Sequence, residues 1–373
     1  MREYRIVDAD CHVMEPPDLW KRWLPERFQD RAPRLVKDAE GGDAWELEPG
    51  RPPMTIGLVT TPGKRYEDFK WTGSTYESIR PSCFDGKARL EDMDADGVDA
   101  ELLYPSQRTM HYFMGNQDVE LHRAGVRAYN DFLAEEFCAA DPERLFGLAQ
   151  IPNLGVDEAV AELRRCREKG YRGAIISAWP SGERHPLRGR RSLLGRGRGD
   201  GDARLDPHQH PAPAPAGEPA RRRGGHRDDG LRRHARLPPI LAELIMSGLF
   251  DRRPGLTVVG TEVEVGWIPE ALEQLDNFYW RNRTWTGLKL ADLPSEYFHR
   301  HFVCTFIKDR IGVVLRHDVG VENMAWSSDF PHHGNDWPYS RAVISEMLQG
   351  VPKAERDLIV GGNAARIYGL GTG

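Results

Sequence analysis

Side chains that could bind a metal ion stand near both ends of the chain. Asp10 and His12 close an apolar run near the N-terminus, and Asp329 closes another near the C-terminus. In an extended strand alternate residues point the same way, so Asp10 and His12 would offer an oxygen and a nitrogen ligand to one point. The alternatives are an ordinary polar strand end for the doublet and a cap on the following turn for Asp329.

Both stretches would have to end strands of one sheet for their side chains to meet. Apolar runs alternate with helical patterns, which predicts a parallel sheet with right-handed crossovers. We predict a (β/α)8 barrel, in which catalytic groups lie at the carboxyl ends of the strands. The predicted strands cover residues 5–7, 99–106, 146–152, 173–177, 256–261, 302–304 and 323–326, and the predicted helices include 119–139, 156–169 and 342–348.

Length and composition favour one soluble enzyme domain over residues 1–373. The 51 basic and 57 acidic residues give a net charge of −6, so we expect a small-molecule substrate and neither nucleic acid nor an anionic membrane surface as partner. Without a signal-peptide pattern or a membrane-length apolar run, we expect a cytoplasmic location. We also expect a homo-oligomer (dimer). Five scattered cysteines without CxxC spacing favour reduced, packing residues.

The polar, aromatic-rich residues 13–90 are predicted to form a loop insertion over the site. Its aromatic side chains either line the pocket of an aromatic substrate or pack a small core of the insertion itself. These residues are Trp20, Trp23, Trp71 and Tyr76.

The segment 187–237 is unlike the rest of the chain, and the fifth strand that should lie there is missing. It contains no Val, Ile, Phe, Tyr, Trp, Met or Lys. A disordered insertion and a basic arm that binds nucleic acid are two interpretations. Acidic residues interrupt the basic run and argue against the arm.

A third interpretation of this segment is a pair of compensating frameshifts in a GC-rich gene. Read one base later with GC-rich wobble bases, the codons for residues 194–210 give WAAAAATAMPVSIHINT, an Ala-rich helix and a strand V-S-I that ends in His. The codon of that His straddles Pro207 and His208. One well-supported unbroken DNA frame through this segment would exclude the interpretation.

Outside this segment the chain resembles the amidohydrolase-related branch of the amidohydrolase superfamily, which includes aminocarboxymuconate-semialdehyde decarboxylase and resorcylate decarboxylases. The motifs that carry the resemblance cover residues 7–16, 103–106, 141–147, 262–269, 326–332 and 362–370. The resemblance implies that Asp10 and His12 bind one divalent metal ion, and oxygen-rich ligation by Asp10 and Asp329 admits Zn or Mn. It also implies that Asp329 binds the metal or its water, and that a His after the fifth strand is a further ligand, for which His208 is the candidate in the chain as written.

Two further residues are candidates for catalysis. Glu262 stands where the decarboxylases of this branch have a His; it could be a general acid/base, a partner of a ligand, or a glutamate held by an arginine. His332 could reach the substrate or stabilise its own loop. We therefore predict a metal-dependent hydrolase that acts on a small, aromatic or carboxylated substrate through a metal-activated water. The alternatives are a nonoxidative decarboxylase, which the Asp10/His12 doublet supports and Glu262 disfavours, and a barrel disabled by the loss of its fifth strand.

Overall fold

The computed structural model describes residues 4–177, 179–180, 205–206 and 237–371, with the backbone alone at 205–206. Numbered along the chain, the described strands are β1 (Val7–Val13), β2 (Arg34–Lys37), β3 (Asp43–Glu46), β4 (Met54–Thr55), β5 (Ala100–Pro105), β6 (Leu145–Gln150), β7 (Gly173–Ile175), β8 (Leu205–Asp206), β9 (Val258–Gly260), β10 (Phe302–Phe306) and β11 (Met324–Trp326).

The described α-helices are α1 (Leu19–Trp23), α2 (Gly86–Asp96), α3 (Gln107–Met114), α4 (Val119–Phe132), α5 (Val156–Glu168), α6 (Leu237–Met246), α7 (Leu249–Arg252), α8 (Ile268–Thr286), α9 (Pro294–His301), α10 (Arg310–Val314), α11 (Arg316–Val319), α12 (Ser340–Met347), α13 (Lys353–Asp357) and α14 (Asn363–Tyr368). π-helical turns extend α4 and precede α14. No described helix is long and apolar enough to span a bilayer.

Eight strands form the main sheet, in the order β1-β5-β6-β7-β8-β9-β10-β11. Each pair of neighbours is parallel. The sheet closes where the segment after β11 meets β1, because the backbone N–H of His12 donates to Phe330 O at 2.6 Å and that of Asp329 donates to Asp10 O at 3.1 Å. The predicted (β/α)8 barrel is therefore confirmed.

The apolar runs form these strands because both faces of the sheet are covered, which is typical of parallel sheets. Every residue of β1, β5 and β6 is buried. Alternate side chains fill the barrel interior, and Ile367 and Tyr368 of α14 pack against that interior cluster. The predicted strands agree with the observed ones to within a few residues.

The fifth barrel strand is where the structure departs from the expectation. A strand was expected to be missing from residues 187–237, yet the backbone of β8 lies between β7 and β9, with Ala174 opposite Leu205 and Leu205 opposite Val258. Main-chain hydrogen bonds hold a parallel ladder without the apolar pattern from which strands are recognised in sequence. The other residues of 187–236 lie outside the described part of the chain.

The residues between β1 and α2 include a small antiparallel sheet of β2, β3 and β4. Trp45 of β3 is buried, and its indole N–H donates to Tyr76 Oη at 3.2 Å. Trp20 is buried as well and packs on Phe113 of α3. Of the four aromatic residues that could line a pocket, Trp20 therefore packs a core, whereas Trp71 stays 44% exposed.

Candidate active site

Four side chains from three barrel strands converge at the carboxyl edge of the sheet. His12, Glu262, Asp329 and His332 each offer one ligand atom, and these atoms all lie within 4.8 Å of one another. His12 Nε2 is 3.2 Å from Asp329 Oδ1 and 3.4 Å from Glu262 Oε1. His332 Nδ1 is 2.8 Å from the same Asp329 oxygen. We call these four residues the donor cluster.

Asp10 lies beside the donor cluster and is not one of its four members. Its Oδ1 is 3.4 Å from His12 Nε2, and the side chain is fully buried. The register between β1 and β5 shifts between Asp8 and Cys11, so Asp10 falls in an irregular part of the strand. Such bulges re-aim a side chain, yet the Asp10 and His12 side chains still lie next to each other. The ligand role of Asp10 stays a prediction.

The backbone at two cluster residues adopts a conformation that residues with a side chain rarely take. Glu262 has φ 52° and Asp329 has φ 60°. Each such residue costs roughly 1–3 kcal/mol and persists only where its surroundings hold it. The N–H of Glu262 donates to Thr305 Oγ1 at 2.9 Å, and that of Asp329 donates to Asp10 O. Residues held in this way are concentrated at functional sites.

The electrostatics of the cluster keep His332 neutral and Asp329 ionised. Burial lowers the pKa of His332 to about 4, against the opposing charge of Asp329. Burial by itself would raise the pKa of Asp329, but the adjacent His332 and His12 imidazoles lower it below its usual range. The two imidazole rings stack with centroids 4.0 Å apart, an arrangement that two imidazolium ions would disfavour.

This donor set fits a divalent cation. Neutral imidazole nitrogens and ionised carboxylate oxygens are ligands of Zn and Mn, and each of the two types is present twice in the cluster. His208, the candidate for the fifth-strand ligand, lies outside the described residues, and its role stays a prediction. His12, Asp329, Glu262 and His332 are brought together as candidates, and their individual roles also stay predictions.

Arg89 of α2 supports the cluster, although no pattern in the sequence singled it out. Its guanidinium donates to His12 O at 2.8 Å and to Glu101 Oε2 at 2.7 Å, and its Cζ lies 4.3 Å from the centroid of the Phe330 ring. Arg89 therefore joins the backbone beside His12 to the residue after Asp329. A lone arginine on a helix gives no sequence signal of such a role.

Asp8 is a second support that the sequence reasoning missed. Its Oδ1 accepts hydrogen bonds from the backbone N–H of Ser328 at 2.9 Å and of Asp10 at 3.2 Å. Burial, with the charge of Glu101 as a smaller cause, raises the pKa of Asp8 to about 7. The alternation Asp8, Asp10, His12 in β1 was the available signal.

Comparison with known proteins identifies the family. A family model described as "Amidohydrolase" matches residues 7–370. The chain belongs to the amidohydrolase family. It is 32% identical over 273 residues to a gamma-resorcylate decarboxylase of Rhodococcus jostii, covering 66% of this chain and 76% of the relative. It is also 27% identical over 113 residues to a 2-amino-3-carboxymuconate-6-semialdehyde decarboxylase of Dictyostelium discoideum, covering 30% of each.

Solved structures show the same barrel. An amidohydrolase of Mycobacterium avium subsp. paratuberculosis is similar with a TM-score of 0.74 at 18% identity, covering all of both chains. A 5-carboxyvanillate decarboxylase of Sphingomonas paucimobilis is similar with a TM-score of 0.62 at 24% identity, covering 99% of this chain and all of the other. Family and relatives together make this amidohydrolase an enzyme of hydrolase or carboxy-lyase type.

Proposed function

We propose that this chain is a metal-dependent, nonoxidative decarboxylase of a small aromatic carboxylic acid. The donor cluster alone fits a hydrolase as well, so the geometry does not choose between the two. The observation that carries the proposal is that the gamma-resorcylate decarboxylase aligns with 66% of the chain at 32% identity. This favours the carboxy-lyase over the hydrolase that the sequence motifs first indicated.

The metal would be held by Asp10, His12 and Asp329, with a histidine after the fifth barrel strand as a further ligand. A related dihydroxybenzoic acid decarboxylase from Polaromonas was solved with bound manganese, which makes Mn²⁺ the ion to test first. When bound, a divalent ion supplies positive charge that polarises carboxylate and phenolic oxygens of a ligand.

The chain's own residues must deliver one proton. Nonoxidative loss of carbon dioxide replaces a ring carbon–carboxyl bond by a carbon–hydrogen bond, so a general acid has to protonate that carbon. Asp329 is poorly suited to this, because the neighbouring imidazoles lower its pKa and keep it ionised. We assign the proton transfer to Glu262, whose Oε1 lies 3.4 Å from His12 Nε2, and the positioning of the substrate to His332.

The proposal is tested by incubating the purified protein and Mn²⁺ with 2,6-dihydroxybenzoate, 5-carboxyvanillate and, as hydrolase substrates, an aromatic lactone and an aryl ester. We expect carbon dioxide and the decarboxylated phenol in equal amounts from at least one acid, and no opening of the lactone. Lactone or ester cleavage without release of carbon dioxide would instead establish the hydrolase.

A matched comparison tests the fifth strand at the same time. β8 lies where the shifted frame encodes V-S-I, which supports a frameshifted origin of residues 187–237. We expect a chain with the restored frame to hold about one Mn²⁺ per molecule and the written chain far less. Equal, stoichiometric metal in both chains would show that the restored histidine is not needed for metal binding. Turnover by the restored chain alone would show that the written chain is a disabled copy.

The hydrolase stays the second candidate because of Asp329. An ionised carboxylate within the donor cluster could deprotonate a water molecule as well as bind a metal. The lactone and ester in the same panel decide this point. A homodimer and a cytoplasmic location also stay predictions.

A further inference from the structure

Arg108 stands at the same edge of the barrel as the donor cluster. It is the second residue of α3, which begins two residues after β5, and Tyr104 near the end of β5 pairs with His12. The N–H and Oγ1 of the next residue, Thr109, donate to Glu15 Oε1 at 3.0 and 2.5 Å. These bonds fix the first turn of α3 against the segment that follows β1, so the backbone that carries Arg108 is held in place.

The guanidinium of Arg108 is half-buried, yet no carboxylate lies within 4.0 Å of it in the part of the chain that the structure describes. Other half-buried arginines have such partners: Arg123 pairs with Glu158 at 2.9 Å, and Arg316 pairs with Glu355 at 2.5 Å. Arg108 instead has the Trp71 ring, whose centroid is 5.8 Å from Cζ. Glu15 is an acid whose charge acts on it, and Thr109 donates to the Oε1 of that carboxylate.

Leaving a desolvated guanidinium without a counter-ion is unfavourable, and here burial lowers the pKa of Arg108. A divalent cation bound at the cluster would repel this arginine. An anion between them would be attracted by both.

We propose that Arg108 binds the carboxylate of the substrate and selects acids over their uncharged analogues. The planar guanidinium presents paired donors that match a carboxylate, which a lysine does not. Trp71, exposed beside it, offers an apolar face for an aromatic ring. That the ligand is an aromatic acid rests on the proposed function; that Arg108 recognises its charge does not require turnover.

The test is calorimetric titration of the full chain, with and without Mn²⁺, using 2,6-dihydroxybenzoate and its neutral amide, 2,6-dihydroxybenzamide. We expect the wild type to bind the acid at least tenfold more tightly than the amide. Arg108→Gln should lose at least tenfold in affinity for the acid and less than twofold for the amide, and Arg108→Lys should recover part of the loss. The Tm of Arg108→Gln should equal or exceed that of the wild type, because the variant removes a half-buried charge that has no ion pair among the described residues.

Lys64→Gln is the matched control. Lys64 is also a half-buried cation, and its backbone N–H donates to the carbonyl of Thr61, whose hydroxyl donates to His332 O at 3.0 Å. We expect this variant to change acid affinity less than twofold. An equal loss in both variants would indicate a diffuse positive potential and overturn the assignment to Arg108.

Three other results would also overturn it: no measurable binding of the acid by the wild type, equal losses for acid and amide in Arg108→Gln, or a lowered Tm of that variant with unchanged affinity. If no acid releases carbon dioxide but Arg108→Gln still abolishes the preference for acid over amide, the binding role stands and the proposed reaction fails.

Discussion

The barrel has two unlike walls. The first wall, β1, β5 and β6, consists of strands of seven, six and six residues that are buried throughout. The second wall, β7, β8 and β9, has strands of three, two and three residues. His12 projects from the first wall with Arg89 bonded to its carbonyl, whereas Glu262 follows the short β9. The walls differ in how firmly they hold the residues that could do chemistry.

The difference shows why family membership and activity are separate questions for this chain. The first wall and β11 carry Asp10, His12 and Asp329, together with the supports that hold them. The second wall should supply the remaining ligand from the fifth barrel strand, where the sequence changes character. If Asp10, His12 and Asp329 bind an ion, a ligand from the second wall would complete four-coordination. The family match covers both walls, whereas the predicted ligand of the fifth barrel strand belongs to the second wall alone.

The largest expected effect comes from Asp329, where β11 brings a carboxylate to the histidines. Asp329→Asn keeps the size of the side chain but removes the charge that the two imidazoles stabilise. We expect turnover to fall about 10⁴-fold, or about 5 kcal/mol in the barrier, in the form of the chain that is active. The measurement is kcat, together with a Mn²⁺ titration that should show at least tenfold weaker binding.

Asp336→Asn, which affects a nearby carboxylate paired with Lys308 at 2.7 Å, is the control. Turnover and Mn²⁺ affinity within twofold of wild type in Asp329→Asn would remove Asp329 from the site.

Much of the first wall could be predicted from the sequence. Strands buried on both faces appear as continuous apolar runs, so β5 was predicted over 99–106 and is observed as Ala100–Pro105. The bulge in β1 was not predicted, and the hydrogen bond from Ser328 N–H to Asp8 Oδ1 beside it joins residues 320 apart, which no local pattern reveals. β8 escaped detection because its ladder uses main-chain atoms, which any sequence provides.

For the candidate site, the sequence predicted which residues take part better than it predicted their arrangement. Residue type and position at strand ends identified His12 and Asp329. The family resemblance pointed to Glu262, and His332 was noted because it closely follows Asp329. Their convergence depends on positive φ angles at Glu262 and Asp329, which no local pattern of Glu or Asp predicts. Arg89 and Arg108 gave no signal because their roles come from what lies next to them in three dimensions.

A smaller but still large effect tests whether Arg89 holds the first wall together. Arg89 is fully buried and forms an ion pair with the buried Glu101. Arg89→Met would leave that carboxylate uncompensated, so we expect the free energy of unfolding to fall by about 3–5 kcal/mol. Urea unfolding at pH 8 measures it, since burial raises the pKa of Glu101 and a lower pH would let it take up a proton.

Arg123→Met is the matched control for that comparison. Arg123 pairs with Glu158 on a surface where both side chains keep solvent contact. We expect a loss of about 1 kcal/mol or less. If Arg89→Met costs no more than this control, Arg89 does not hold the wall, and its contacts with His12 and Phe330 would have to be incidental.

The smallest effect tests how acid acts on α4, whose Asn130 side chain donates to Gln150 O of β6 in the first wall. His122 of α4 is buried, and this burial, with the charge of Arg123 as a smaller cause, lowers its pKa to about 4 from 6.5. Its stabilising contribution is fully present above pH 6.5 and is lost as the pH falls toward 4, because the unfolded chain takes up the proton first. Between pH 6.5 and pH 4 we expect the free energy of unfolding of the wild type to fall by about 3 kcal/mol more than that of His122→Met. Urea unfolding at several pH values measures the difference, and His317→Gln, an exposed histidine, should follow the wild type. Parallel pH profiles for the wild type and His122→Met would mean that α4 opens enough to solvate the imidazole, and the first wall would then be less rigid than its long, buried strands indicate.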